Sequence, residues 1–246
     1  MTKSVRRACT LGGSAQVDRR RMKLECPPEE VKRIAALCAS RWHRDYTRIK
    51  LRSDPVYAAA LREITGTHLP VLDIGCGIGL LAMYLRGAGY TAPVTGFDYD
   101  AEKIKAARIM AERSGFSDLS YAAGDARRDM PDFSGHVIIL DILQFFTPAE
   151  QDALLALAAS RVAHGGRLII RSGLREATWR HRVTILGDWF AKITFWMKAA
   201  PVCYPTREQF ERVLTQQGLQ VRLEPMWGGT PFNNYLIVAE RQASVA

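Results

Sequence analysis

The chain has 246 residues, of which 48% are apolar and 24% charged, with 34 Lys and Arg against 25 Asp and Glu for a formal net charge of +9. This supports one large core, an α/β domain with extensions. No run of about 18 uncharged apolar residues occurs, which argues against a membrane-spanning helix, and the N-terminus lacks the apolar centre of a signal peptide.

The charge is unevenly spread. Residues 1–50 carry a net +8, residues 51–170 a net −3 and residues 171–246 a net +4. Residues 1–24, with Arg6, Arg7 and Arg19 to Arg21, have no hydrophobic periodicity and read as a basic, disordered leader. Met22 offers a second start that would leave residues 1–21 outside the natural protein. Residues 29–42 then have helical spacing, with Val31, Ile34, Ala35, Cys38 and Trp42 on one stripe behind Pro27 and Pro28. A second helix is expected over 55–64, with Asp54 as its N-cap.

Residues 71–79, VLDIGCGIG, read as a buried strand running into a glycine turn and then a helix over 80–87. A backbone without side chains at a helix N-terminus lets a small ligand lie against the main chain. A dinucleotide fingerprint would need a small residue where Leu80 stands, and Asp73 would sit poorly with a pyrophosphate but well with a cation. The next strand, 92–98, ends in Asp98, placed to bond adjacent ribose hydroxyls. A helix from residue 101 and a strand over 119–123 lead to Asp125 and Ala126. The apolar run 136–141 suits a strand buried on both faces and ends in Asp141. A helix over 148–162 and a strand over 165–170 complete the alternation.

With these acids in register behind the glycines, residues 69–172 resemble the class I S-adenosylmethionine (SAM)-dependent methyltransferases of the small-molecule branch. The resemblance implies a single doubly wound seven-stranded sheet in the order 3-2-1-4-5-7-6, with strand 7 antiparallel. It implies SAM as cofactor, held by Asp73, Gly75, Cys76, Gly77, Gly79, Asp98, Tyr99, Asp125, Ala126 and Asp141. Asp125 would meet the adenine amino group and the next backbone N–H a ring nitrogen. It also implies that residues 25–68 form a helical lid over the SAM domain of residues 69–246, with Tyr46, Lys50 and Tyr57 as acceptor-side contacts. The motif beginning at Asp141 lacks the prolines of amino-directed enzymes and carries Gln144 where the small-molecule branch often has histidine. Candidate catalytic residues are therefore Asp141, Gln144, His181 and Tyr204, with His43 behind them.

Residues 175–200 read as a helical insertion whose stripe includes Trp189, Phe190 and Trp196. It packs as an acceptor-side cap, forms a homodimer surface, or touches a membrane peripherally through 183–198. A helix capped by Thr206 and ending at Gly218 precedes strands over 219–224 and 231–239, with Asn233 and Asn234 near a strand mouth. The expected activity is methyl transfer from SAM to oxygen or carbon of a small apolar, aryl or acyl acceptor, free or carrier-bound. The alternatives are an RNA or protein methyltransferase using the basic N-terminus, and a non-catalytic SAM-binding partner protein. The slightly acidic core argues against nucleic acid. The five scattered cysteines show no disulfide or metal spacing and point to a reduced, cytoplasmic setting.

Overall fold

The computed structural model describes residues 25–176, 202–227 and 233–241. Three helices come first, α1 (Pro28–Leu37), α2 (Arg41–Ser53) and α3 (Val56–Ile64). Strands and helices then alternate: β1 (Val71–Ile74), α4 (Leu80–Gly87), β2 (Val94–Asp98), α5 (Ala101–Ser114), β3 (Leu119–Ala123) and β4 (His136–Leu140). The remainder is α6 (Pro148–Ser160), β5 (Arg167–Gly173), α7 (Arg207–Gln216), β6 (Gln220–Pro225) and β7 (Asn234–Glu240). The strands form one sheet in the order β3-β2-β1-β4-β5-β7-β6, and β7 is antiparallel to both neighbours. This is the expected architecture.

The central strands are apolar on both faces because helices cover both. Val137, Ile139, Leu168, Ile170 and Ile237 meet Leu155, Phe210 and Leu214 of α6 and α7. The alternating residues Ile138, Ile169 and Val238 share the other core with Ile34, Leu61, Leu85 and Ile104 of α1, α3, α4 and α5. Each such side chain contributes roughly 1.5–3 kcal/mol by leaving water. Side chains also fix the helix starts: Thr147 and Glu150 form a capping box on α6, and Thr206 accepts from the Gln209 N–H on α7.

Two local expectations are corrected. The helix expected over 29–42 is two helices, broken where Cys38 turns extended and Ser40 accepts the His43 N–H at 3.0 Å to start α2. N-cap chemistry overrides the apolar period there, and Trp42 leaves the stripe to stand 57% exposed. β5 runs three residues beyond the expected end at Ile170, because Arg171 to Gly173 pair in register with β7. The leader 1–24 lies outside the described residues, as does the expected insertion apart from Arg175 and Glu176.

α3 is gripped at both ends by one face of β5. Arg167 reaches the Glu63 carbonyl and, at 3.1 Å, its carboxylate, while Arg171 pairs with Asp54. Between them a buried histidine ties the segment after α3 to the sheet. His136 Nδ1 accepts the Arg167 N–H at 3.0 Å, so its Nε2–H donates to Thr67 Oγ1 at 2.6 Å. Burial first, and the Arg167 charge second, pull its pKa from 6.5 down to about 4. The unfolded chain therefore binds the extra proton between those values, and the stability due to neutral His136 is lost as pH falls through that window. The loss should approach about 3 kcal/mol at pH 4. Urea melts from pH 7 to pH 4 should show it, with a shallower slope in His136→Gln.

Candidate functional site

The turn between β1 and α4 uses left-handed backbone three times in five residues, at Gly75 (φ 78°), Gly77 (φ 55°) and Gly79 (φ 79°). Two of these glycines are also sites of close packing. A Cβ on Gly75 would stand 2.7 Å from Ile142 Cγ2, and one on Gly79 would stand 2.7 Å from the Tyr121 hydroxyl. A Cβ on Gly77 would meet nothing within 4 Å. Gly77 thus presents bare backbone to open space, and its neighbours lock the turn from below.

Asp98, at the end of β2, holds this turn. One carboxylate oxygen accepts the Gly77 N–H at 2.9 Å and the other the Asp100 N–H at 2.9 Å. The Gly124 N–H donates to the Asp98 carbonyl at 3.0 Å, which sets the end of β3 beside it. Asp73 is 3% exposed, and its carboxylate has no hydrogen bond or ion pair among the described residues. Burial, and then the Asp98 charge, push its pKa up to about 7. Cys76, enclosed in the turn with a thiol raised well above its ordinary pKa by burial, is no nucleophile.

Asp125 stands differently. Its carboxylate takes the Arg127 backbone N–H at 3.0 Å and the Arg127 guanidinium at 2.6 Å, and this pairing lowers its pKa to about 2. Its expected neighbour Ala126 is buried, while Tyr99, beside Asp98, is 59% exposed.

Asp141 follows β4 with φ 58°, the one non-glycine positive φ among the described residues. Arg171 holds it there from β5, with Nε donating to Oδ1 at 2.7 Å and Nη2 to Oδ2. The same guanidinium reaches Asp54, which Lys50 Nζ approaches at 2.7 Å. Arg171 and Asp54 are enclosed while the Asp141 side chain is 37% exposed, so of the two carboxylates on Arg171 it is Asp141 that opens to solvent. Tyr46 and Tyr57 lie within its field. Burial, with Asp141 and Asp54 adding to it, raises the Tyr46 phenol to about 12. The sequence reading missed Arg171, although a charge at the end of a strand as apolar as β5 is a signal for a buried partner.

The proposed bases are less connected. Gln144 spends its amide on the Asp141 carbonyl at 2.9 Å, and its own main-chain carbonyl accepts the Val202 N–H at 2.7 Å. Tyr204 is buried beside this crossing, and His43 lies on α2 with its pKa lowered by burial. Asn233 is buried against Leu174 and Glu176. His181 lies outside the described residues.

The mostly parallel sheet in this order, with a glycine turn after β1 and acids at successive strand ends, fits the class the sequence resembles. Residues 71–166 match the family model of a methyltransferase domain, consistent with the class I SAM-dependent methyltransferases, whose methyl donor is SAM. Among curated proteins the chain is similar to the ribosomal protein L11 methyltransferase of Burkholderia vietnamiensis, 35% identical over 100 residues. That match covers 41% of this chain and 30% of the relative's length, so the chain spans under a third of it. Among solved structures it resembles an O-methyltransferase family protein from Burkholderia thailandensis, with TM-score 0.63 and 17% identity over 84% of this chain and 62% of that one. It also resembles magnesium protoporphyrin IX methyltransferase from Synechocystis with bound SAH, with TM-score 0.59 and 19% identity over 87% of this chain and 94% of that one.

Gly79→Ala tests the packing beneath the turn. Gly115→Ala at the end of α5 meets only the left-handed backbone penalty (φ 75°, nothing within 4 Å) and should lose about 1 kcal/mol. Gly79→Ala must also displace Tyr121 and should lose a further 1–3 kcal/mol or so, read as a larger drop in urea midpoint.

Proposed function

We propose that the chain transfers a methyl group from SAM to an oxygen or carbon of a small apolar, aryl or acyl acceptor. The observation that carries the reading is Asp73, a buried carboxylate with no cationic partner among the described residues, beside a glycine turn open at Gly77. The donor's ammonium fits the missing charge. Asp98 would hold the ribose hydroxyls through the lone pairs left on each oxygen, Gly124 to Ala126 would receive the adenine, and Asp141 would face the methionine portion. When bound, the donor supplies an activated methyl group on a sulfonium. The chain's part is alignment of the acceptor, which can supply much of the rate enhancement. Tyr46, neutral with its pKa near 12, would donate a hydrogen bond there rather than take a proton.

The apolar acceptor, a membrane-surface contact through 183–198 and a homodimer rest on the tryptophan-rich sequence of residues 175–200, and the carrier-bound acceptor on the resemblance of the C-terminal portion to small-molecule methyltransferases. A cytoplasmic setting is supported by the four described cysteines, none of which is in a disulfide. A protein acceptor is the second reading, favoured by the name of the curated relatives. Incubation with SAM and separate panels of aryl, acyl-carrier and ribosomal-protein acceptors, read by mass spectrometry, distinguishes the two. Addition of a methyl group to protein alone would overturn the small-molecule reading.

Asp98→Ala should weaken SAM binding by about two orders of magnitude, since charge-assisted hydrogen bonds are lost. Calorimetry showing wild-type affinity in a folded variant would remove Asp98 from the site. Asp73 adds a pH signature. Its ionised form attracts the cation, so affinity should climb as pH rises through about 7, until the donor's own ammonium begins to lose its proton. Binding at pH 7 should release about half a proton, seen as a dependence of binding enthalpy on buffer ionisation heat.

A further inference from the structure

We infer that Arg171 is a positioning residue that couples the N-terminal helices to the donor site. This deepens the proposed function and rests on it. The route is continuous contact. Asp54, between α2 and α3, shares the Arg171 guanidinium with Asp141. Asp141 needs that grip because its backbone is left-handed, a conformation that is uncommon without glycine. The next residue, Ile142, packs on Gly75 so closely that a single methyl there would stand 2.7 Å away. A shift of Arg171 therefore moves Asp141, and through Ile142 it presses on the first glycine of the turn.

The arrangement is asymmetric in charge. Arg171 is 5% exposed and balanced by two carboxylates, while Lys50 at 2.7 Å offsets the excess on the Asp54 side. Removing the Asp54 charge leaves Asp141 alone with the guanidinium, and the guanidinium free to recentre on it. Asp54 belongs to no strand end and stands outside the proposed ligand contacts, so an effect of Asp54 on ligand binding would have to travel through Arg171. The Asp141 end of the site faces the amino-acid portion of the donor in the proposed reading, and the Asp98 end faces the adenosine portion.

The experiment compares two ligands by calorimetry, S-adenosylhomocysteine and methylthioadenosine, which lacks the amino-acid portion. Asp54→Asn should weaken S-adenosylhomocysteine about fivefold or more, leave methylthioadenosine unchanged, and add nothing in an Asp141→Asn background. Lys50→Gln perturbs the cluster the other way, drawing the guanidinium toward Asp54 and off Asp141; it should also weaken S-adenosylhomocysteine, by a smaller factor, and keeps the test open if Asp54→Asn folds poorly. The inference is overturned if both variants bind S-adenosylhomocysteine like wild type, if both ligands weaken in proportion, or if the Asp54 and Asp141 losses multiply. Wild-type S-adenosylhomocysteine binding in Asp98→Ala would instead overturn the donor site itself.

Discussion

The site depends on atoms that are missing. β1 can turn into α4 within five residues, with β2, β3 and the Asp141 turn all against it, because Gly75, Gly79 and Gly96 have no Cβ. A Cβ on any of the three would come within 2.9 Å of Ile142, Tyr121 or Cys76 respectively. The close approach does two things at once. It brings the carboxylate of Asp98 onto the Gly77 N–H, which fixes the shape of the turn, and it encloses Asp73, which raises the free energy of its charged form. Rigid backbone and a poorly solvated acid are thus products of the same packing.

The two ends of the site handle charge in opposite ways. Around Arg171 the protein supplies its own counterions, so the cluster is complete before any ligand arrives. Breaking one such buried pair would cost about 3–5 kcal/mol, because the remaining charge is left without water. Around Asp73 no counterion is supplied among the described residues, and the acid keeps a proton more readily than a surface carboxylate would. A cationic ligand would relieve that imbalance. The first arrangement is suited to holding geometry and the second to binding.

Much of this was legible in sequence for definite reasons. The parallel core showed as apolar runs such as HVIIL, and the turn as three glycines behind an acid, since both signals are local. The strand order came only through the family resemblance. Pairing between residues distant in sequence leaves no such mark: nothing in the chain links Asp54 to Arg171, 117 positions apart, except that each is a charge beside apolar neighbours. α2 was missed because it is built mostly of polar and charged residues, with only Thr47 and Leu51 buried, so few apolar residues mark its inner face. Asp125 shows the reverse limit. Its position after β3 was read correctly, but its partner Arg127, two residues on, could not be separated from ordinary surface charge.

The acceptor side follows from which charges are already committed. Lys50 and Arg171 are both held by carboxylates, so neither is an open anchor for an anionic acceptor. What this corner does expose is the outer edge of Asp141, next to the phenol of Tyr46, which stacks on Trp42 at 5.8 Å with 13° between the rings. In the reading proposed above, this aromatic pair beside one carboxylate edge would suit an acceptor with a flat or apolar body and a hydrogen-bond donor. Such a group would find Asp141 already oriented by Arg171. Its reactivity would then be set by alignment more than by proton removal, because the neighbouring phenol stays protonated at neutral pH.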